Sequence, residues 1–175
     1  TGNITSFPKT YSLQCTAPDG DVSPIGSVTV NQSTPSLLID FTSDPSPASG
    51  DVPLTVNNFT AAITAYDGDP AASVNYSFWW HCTNTSNAFD VVRDGTNGQM
   101  ACGDPSNPAI GHKRDGVDGG QVLPSESTPA HIYSINGTYT AKVIVERSAA
   151  IPQTKSLTVT VTIPPLAGLS CAVNP

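Results

Sequence analysis

Four cysteines, at positions 15, 82, 102 and 171, are the residues with the clearest chemical potential. Their even number and wide spacing in a Ser- and Thr-rich chain predict two disulfides and an oxidising compartment. Three pairings are possible, and we favour Cys82–Cys102, which closes a local loop, with Cys15 near Cys171. A zinc site at Cys82, Cys102 and nearby histidines is the alternative, but it requires reduced thiols.

Aspartates in glycine-containing turns are the candidate metal ligands. The pairs Asp67/Asp69 and Asp115/Asp118 each lie in such a turn, where carboxylate and carbonyl oxygens suit Ca²⁺. No segment matches the complete EF-hand loop, and Asp also favours turns for local hydrogen-bonding reasons alone. We therefore expect no cofactor, with Ca²⁺ at these four residues as the alternative.

Catalytic motifs are missing from the sequence. It contains no G-x-S-x-G, no phosphate-binding loop and no H-E-x-x-H. The three histidines, His81, His112 and His131, show no spacing that selects a Ser/His/Asp set. The chain is therefore not expected to be an enzyme.

Charge excludes two classes of partner. The 175 residues carry a formal net charge of -7 and include only 7 Lys and Arg. Such a chain repels both nucleic-acid phosphates and anionic membrane surfaces. The uncharged stretch that comes closest to a membrane helix, residues 157–173, alternates Thr with apolar residues and contains two adjacent prolines, which is typical of a strand and a tail instead. Neither nucleic-acid binding nor membrane insertion is expected.

Six asparagines occupy the N-x-S/T acceptor pattern for N-glycosylation. They are Asn3, Asn31, Asn58, Asn75, Asn84 and Asn136. Asn in turns and Thr at strand starts would enrich this pattern without any sugar, so both interpretations stay open. Together with the cysteines, the pattern predicts a secreted, extracellular or cell-surface protein. A start at Thr1 without an apolar leader fits either a signal peptide already removed or a trimmed chain.

Strands must position these residues. Apolar residues alternate with Thr over residues 157–163 and with mostly polar residues over 139–146, which is the period of a half-buried strand. Residues 36–41 and 74–80 are further apolar strands, and no window favours an amphipathic helix. The pattern predicts an all-β, antiparallel β-sandwich. Residues 83–128, rich in Asp, Gly, Asn and Pro, are predicted to form one long loop tied by cysteines.

Three stretches carry a family resemblance. GDVPLTV at residues 50–56 and FTA at 59–61 resemble the opening strand of PKD (polycystic-kidney-disease) domains. HIY at 131–133 with GTYTAKV at 137–143 resembles a later strand pair of that family, and FWW at 78–80 is similar to its Y-x-W strand. The resemblance implies an Ig-like (PKD-type) β-sandwich in a microbial surface protein that serves structure, spacing or adhesion.

The same motifs imply a set of core residues. These are Leu54, Val56, Phe59, Trp80, His131, Tyr133 and Tyr139. Phe59 follows Val56 by three residues, so the strand alternation slips by one. We predict a β-bulge at Asn57 and Asn58 that returns Phe59 to the core.

The expected organisation has three parts. Residues 1–35 form an N-terminal segment with extra strands that docks on a neighbour, 36–163 form the PKD-like sandwich with its loop insertion at 83–128, and 164–175 form a C-terminal tail. Apolar residues near both ends lack a place in the sandwich, and an open sheet edge can accept a strand from another subunit.

The expected function is therefore that of an extracellular structural protein. It would form a pilus-like surface filament or a surface layer, assembled by terminal or edge-strand exchange. The alternative is a cell-surface adhesin or carbohydrate-binding module. The expected partners are other copies of the chain or tandem neighbouring domains, with glycans as the partner of the alternative.

Overall fold

The structure is a computed structural model that describes residues 9–31, 33–84 and 102–164. These residues form strands and contain no helix, so the all-β prediction is confirmed. Within the described ranges, nothing therefore forms a helix long and apolar enough to cross a membrane. The chain divides into two compact units, Thr1–Thr34 and Pro35–Pro175. The predicted tail, apart from its first residue, lies outside the described ranges.

The described ranges contain twelve strands. They are β1 (Lys9–Leu13), β2 (Gly26–Val30), β3 (Leu37–Asp44), β4 (Ser49–Asp51), β5 (Leu54–Val56), β6 (Asn58–Tyr66), β7 (Val74–Trp79), β8 (Gly111–Val117), β9 (Ser125–Ser127), β10 (His131–Tyr133), β11 (Gly137–Arg147) and β12 (Gln153–Thr162).

The first unit contains one antiparallel hairpin, formed by β1 and β2. Their register runs from Lys9 opposite Val30 to Leu13 opposite Gly26. Because side chains alternate between the faces of a strand, one face of this hairpin carries the apolar residues Tyr11, Leu13, Val28 and Val30, and the other carries only Ser and Thr. On the polar face the Oγ1 atoms of Thr10 and Thr29 lie 3.0 Å apart and share a hydrogen bond.

The largest sheet of the second unit has five strands in the order β4-β12-β11-β7-β8. The alternating sequences of β11 and β12 pair along almost their whole length, from Gly137 opposite Val161 to Val145 opposite Gln153. β4 runs parallel to β12, whereas the other described strand pairs are antiparallel. The prediction of a wholly antiparallel arrangement is therefore wrong for this one pair.

The predicted β-bulge at Asn57 and Asn58 is wrong. The ladder between β5 and β10 ends at Val56, and β6 starts at Asn58 with different partners, β3 and β9. Between them the backbone N–H of Asn57 donates to the carbonyl of Asp44 at 2.7 Å. This change of partner strands resets the alternation, so Val56 and Phe59 are both buried, with Phe59 only 1% exposed.

Side chains from both the five-stranded sheet and the β3-β6-β9 sheet fill one hydrophobic core. Its centre is aromatic: the ring of Phe41 lies 5.8 Å from that of Phe59 and 6.2 Å from that of Phe78. Offset and tilted ring pairs at such distances add to the stabilisation from burial. The residues expected in the core divide into five that are buried (Leu54, Val56, Phe59, Trp80 and Tyr133) and two that are half-buried at its edge (His131 and Tyr139).

Residues 83–128 do not form a single loop. Residues 111–117 form β8 at the edge of the five-stranded sheet, and 125–127 form β9; residues 85–101 lie outside the described ranges. β8 pairs with β7 through its backbone while several of its polar side chains face solvent. An edge strand of this kind needs no apolar periodicity, which explains why the sequence pattern missed it.

Candidate functional site

A disulfide joins Cys82, just after β7, to Cys102, with their Cα atoms 5.3 Å apart. This pairing was predicted and is confirmed. Oxidised cysteines do not ligate metal, so the zinc alternative at this pair is wrong. Cys15 is exposed and bonds to no described cysteine; Cys171 lies outside the described residues, so their pairing stays a prediction.

The adjacent tryptophans before this disulfide point to opposite faces of the sheet. Trp80 belongs to the main core, whereas Trp79 packs with Cys82 and Ile144 in a second, smaller core. Both indoles also fasten the segment after Cys102: Trp79 Nε1 donates to the Gly103 carbonyl at 2.9 Å, and Trp80 Nε1 donates to the Pro108 carbonyl at 2.8 Å. One disulfide and two indole hydrogen bonds therefore hold this segment against β7.

An aromatic cluster surrounds Trp80. The imidazole of His131 stacks on the Trp80 ring at 4.6 Å, and the Tyr133 ring meets His131 edge-on at 4.7 Å. The Tyr133 hydroxyl donates to the Trp80 carbonyl, and the Tyr139 hydroxyl donates to the Ile135 carbonyl at 2.7 Å. Burial lowers the pKa of His131 and raises the pKa of Tyr133. The rings of the cluster therefore pack against one another, and the two tyrosine hydroxyls hold backbone carbonyls in place.

Two clefts, of ≈ 260 and ≈ 230 Å³, share Trp80 and His131 in their walls. The first also touches His112 and Lys113, and the second touches Tyr139. Both are smaller than the roughly 300–1,000 Å³ typical of small-molecule sites. The Trp80 side chain is only 5% exposed and His131 stacks on one face of its ring, so it offers little open surface to a sugar.

The four aspartates proposed as calcium ligands have partners within the protein. Asp67 Oδ1 accepts the N–H of Ser36 at 2.6 Å, and Asp69 Oδ1 accepts the N–H of Ala71. The other pair lies at the end of β8. The carboxylate of Asp115 forms an ion pair with Lys113 at 2.6 Å, and Asp118 Oδ1 accepts from Gln121.

In the parts of the chain that the structure describes, three or more His, Cys, Asp or Glu side chains do not gather at one point. Calcium binding at these aspartates stays a prediction. Three of these aspartates, Asp67, Asp69 and Asp118, lie in turns whose backbone carbonyl oxygens accept hydrogen bonds from a different group.

That group is the guanidinium of Arg147, at the end of β11, which is only 1% exposed. It donates hydrogen bonds of 2.5–3.2 Å to four backbone carbonyls, those of Pro70, Ala72, Gln121 and Val122. Its Cζ also lies 4.3 Å from the centre of the Tyr66 ring, a cation–π contact. The acceptors come from the turns that follow Asp67 and Asp118, so a cation of the protein itself joins these two turns.

Arg147 is a structural residue that motif reasoning missed. A signal for it exists in the sequence, because Arg147 continues the alternation of Val143 and Val145 and so must point into the core. Arg147 also affects the nearby Tyr76. Burial, together with the negative charges of Asp118 and Glu126, raises the pKa of the Tyr76 hydroxyl, whereas the positive charge of Arg147 lowers it.

The candidate glycosylation sites differ in exposure. Asn31 and Asn136 are exposed, and Asn58, Asn75 and Asn84 are half-buried; Asn3 lies outside the described residues. The Asn75 side-chain oxygen accepts the N–H of Gly116 at 2.8 Å, which leaves its nitrogen, the atom that a glycan uses, for attachment. Glycosylation stays a prediction at all six positions.

No protein-family model matches the chain, and no curated protein matches it either. The PKD resemblance of residues 46–163 therefore stays a proposal, and the function must be argued from the geometry.

Replacing Arg147 with Met should lower the free energy of unfolding by about 2–3 kcal/mol, because four partly buried carbonyls lose a charged donor. Urea unfolding followed by tryptophan fluorescence measures this. Arg114→Met is the matched control: Arg114 lies 3.7 Å from Glu126 with its side chain half exposed, so its loss should cost less than about 1 kcal/mol. Equal losses for the two variants would contradict the role assigned to Arg147.

Protonation of His131 should destabilise the fold. Because burial holds its pKa below the usual 6.5 in the folded chain, the unfolded chain takes up the proton at higher pH. The contribution of His131 to stability is thus fully present above about pH 6.5 and is lost as the pH falls through the lowered pKa.

The change in unfolding free energy between about pH 7 and pH 5 tests this linkage. His131→Phe keeps a ring against Trp80 and should make that change smaller than in the wild type. An NMR titration of the His131 ring provides the direct check. A midpoint at or above 6.5 would be inconsistent with the lowered pKa.

Proposed function

We propose that this chain is an extracellular structural protein, the subunit of a surface filament or surface layer, and that its N-terminal hairpin is the assembly element. The observation that carries the proposal is the apolar face of that hairpin. Tyr11 is 43% exposed, Leu13 is 72% exposed and Val28 is 60% exposed. This face lines an open groove of ≈ 690 Å³ that also includes Pro24.

An isolated two-stranded hairpin is marginally stable in water. Burying a Leu or Val side chain contributes roughly 1.5–3 kcal/mol, so a partner that covers Leu13, Val28 and the Tyr11 ring would stabilise the hairpin by several kcal/mol. Association itself costs about 4–15 kcal/mol. A partner that also supplies backbone hydrogen bonds is therefore favoured over one that offers only an apolar surface.

Three features of the second unit favour an Ig-like β-sandwich of PKD type as its fold. Three sheets share one core, and Tyr139 stands near the start of β11 with its hydroxyl bonded to the backbone four residues upstream. This contact is similar to the tyrosine corner of immunoglobulin-like sandwiches. Trp80, just after β7, is buried in the core, as a tryptophan is in the corresponding strand of that fold. These features agree with the resemblance of residues 46–163 to PKD domains.

Compartment and surface chemistry support the same function. The disulfide Cys82–Cys102 suits an oxidising, extracellular setting. Only 12% of the residues are charged, so copies of the chain bring few like charges together when they pack.

The adhesin or carbohydrate-binding alternative depends on the two clefts beside His131. Their small volumes and the inward-facing indole of Trp80 favour the structural function over it.

The double substitution Leu13→Ser and Val28→Ser should abolish assembly, because it makes the apolar face of the hairpin polar. Sedimentation velocity over a wide concentration range and negative-stain images measure the size of the assemblies. The matched control, Thr10→Ser with Thr29→Ser, changes the opposite face at two residues that do not line the groove, keeps both hydroxyls and should assemble like the wild type.

Unchanged tryptophan fluorescence would show that the second unit remains folded in both variants. A wild-type chain that stays monomeric at the highest concentration, or a Leu13/Val28 variant that still assembles, would refute the proposed function.

A further inference from the structure

The long edge of β12 is open over most of its length. β4 pairs with β12 only from Thr160 to Thr162. Pro45 and Pro47 precede β4, and because proline has no N–H to donate they are poor residues for extending this ladder. Along residues 154–158, no described strand is hydrogen-bonded to this side of β12, although β3 of the other sheet passes close to β12.

The backbone groups on this open edge can be assigned from the hydrogen bonds at its closed end. The N–H of Thr160 donates to the Ala48 carbonyl, and the carbonyl of Thr162 accepts from Val52, so even-numbered residues direct their backbone groups away from β11. With a period of two, Thr154, Ser156 and Thr158 present three N–H and three C=O groups outward. This length matches a strand of five residues, such as β1 or β2.

Three other edge strands of the second unit, β8, β9 and β3, carry features that disfavour strand addition at least in part. β8 carries His112, Lys113 and Arg114 in succession and has an irregular register opposite β7, and both charges and bulges discourage strand addition. β9 has only three residues. On β3 the Asp40 carboxylate already accepts the N–H of Phe41 at 2.9 Å.

The two faces of β12 match the two faces of the hairpin. On β12, Ser156, Thr158 and Thr160 lie on the exposed face, while Leu157 and Val159 lie on the core side, where Lys155 at the start of the open edge is exposed. The hairpin likewise has Ser and Thr on one face and Tyr11, Leu13 and Val28 on the other. A hairpin added beside β12 would therefore continue a polar face with polar residues and an apolar face with apolar residues.

We infer that the hairpin of one copy adds to the open edge of β12 in a second copy and extends its five-stranded sheet. This inference rests on the proposed function and names the surface that receives the hairpin. The contact joins two different surfaces, so each copy retains one free hairpin and one free edge. Such a heterologous contact propagates into an open-ended assembly unless a rotation closes it into a ring.

Lys155 argues for the hairpin over a second β12 as the partner. It is the only charged residue of β12, and its side chain is exposed. Two β12 edges paired about Ser156 would bring two Lys155 ammonium groups close together, which disfavours that pairing. The hairpin unit has a single described cation, Lys9, and two acidic residues, Asp19 and Asp21, in its loop.

Ser156→Pro tests the receiving edge. It removes an outward N–H without removing a hydrogen bond to β11, and proline is tolerated on sheet edges. We expect this variant to remain monomeric by sedimentation velocity at concentrations where the wild type assembles. Ser156→Ala keeps the N–H and should assemble normally. Urea unfolding of both variants establishes that the sheet is intact.

A mixing experiment separates this inference from the proposed function. Ser156→Pro retains an intact hairpin, and the Leu13→Ser/Val28→Ser variant retains an intact β12 edge. If hairpin meets β12, each variant alone is monomeric and an equimolar mixture forms dimers that grow no further. If Ser156→Pro assembles like the wild type, the β12 inference is wrong while the proposed function stands. If the wild type never assembles, both are wrong.

Discussion

The burial of both faces of β11 is the constraint on which the second unit depends. Ala141, Val143 and Val145 lie in the main core, while Ile144 lies on the opposite face with Trp79 and Cys82. A strand covered on both sides needs apolar side chains at successive positions and structure on each face of its sheet. The main core supplies one cover, and the segment after Cys102 supplies the other.

The second cover explains the most unusual local features of the chain. A segment with little apolar periodicity cannot hold itself on a sheet by hydrophobic burial alone. A disulfide at Cys82 and a hydrogen bond from Trp79 therefore anchor it, and Ile110 packs against the second core. At the far end of β11, Arg147 performs the same task for the turns beside it by donating to their carbonyls. Covalent and polar contacts thus act where apolar contacts are few.

The structure shows which features the sequence could predict. Alternation predicted β11 and β12 because each buries a regular apolar face. The family motif, together with an expected bulge, placed Phe59 in the core. Alternation missed β8, whose pairing depends on backbone groups that every residue has. It also misjudged Asn57, because a strand that changes partners and a strand with a bulge produce the same one-residue slip. The aspartate turns suggested a cation, but motif reasoning did not find that Arg147, distant in sequence, supplies one.

The hairpin differs from the rest of the protein because it has no core of its own. Its Ser/Thr face is exposed and carries the hydrogen bond between Thr10 and Thr29, but its apolar face gains free energy only when another surface covers it. Any partner that binds the ordered hairpin stabilises it by mass action, so under the proposed function its order would depend on protein concentration. Because Tyr11, Leu13 and Val28 carry no charge, the stabilisation of the hairpin by a bound partner should respond weakly to salt, unlike an assembly held by exposed ion pairs.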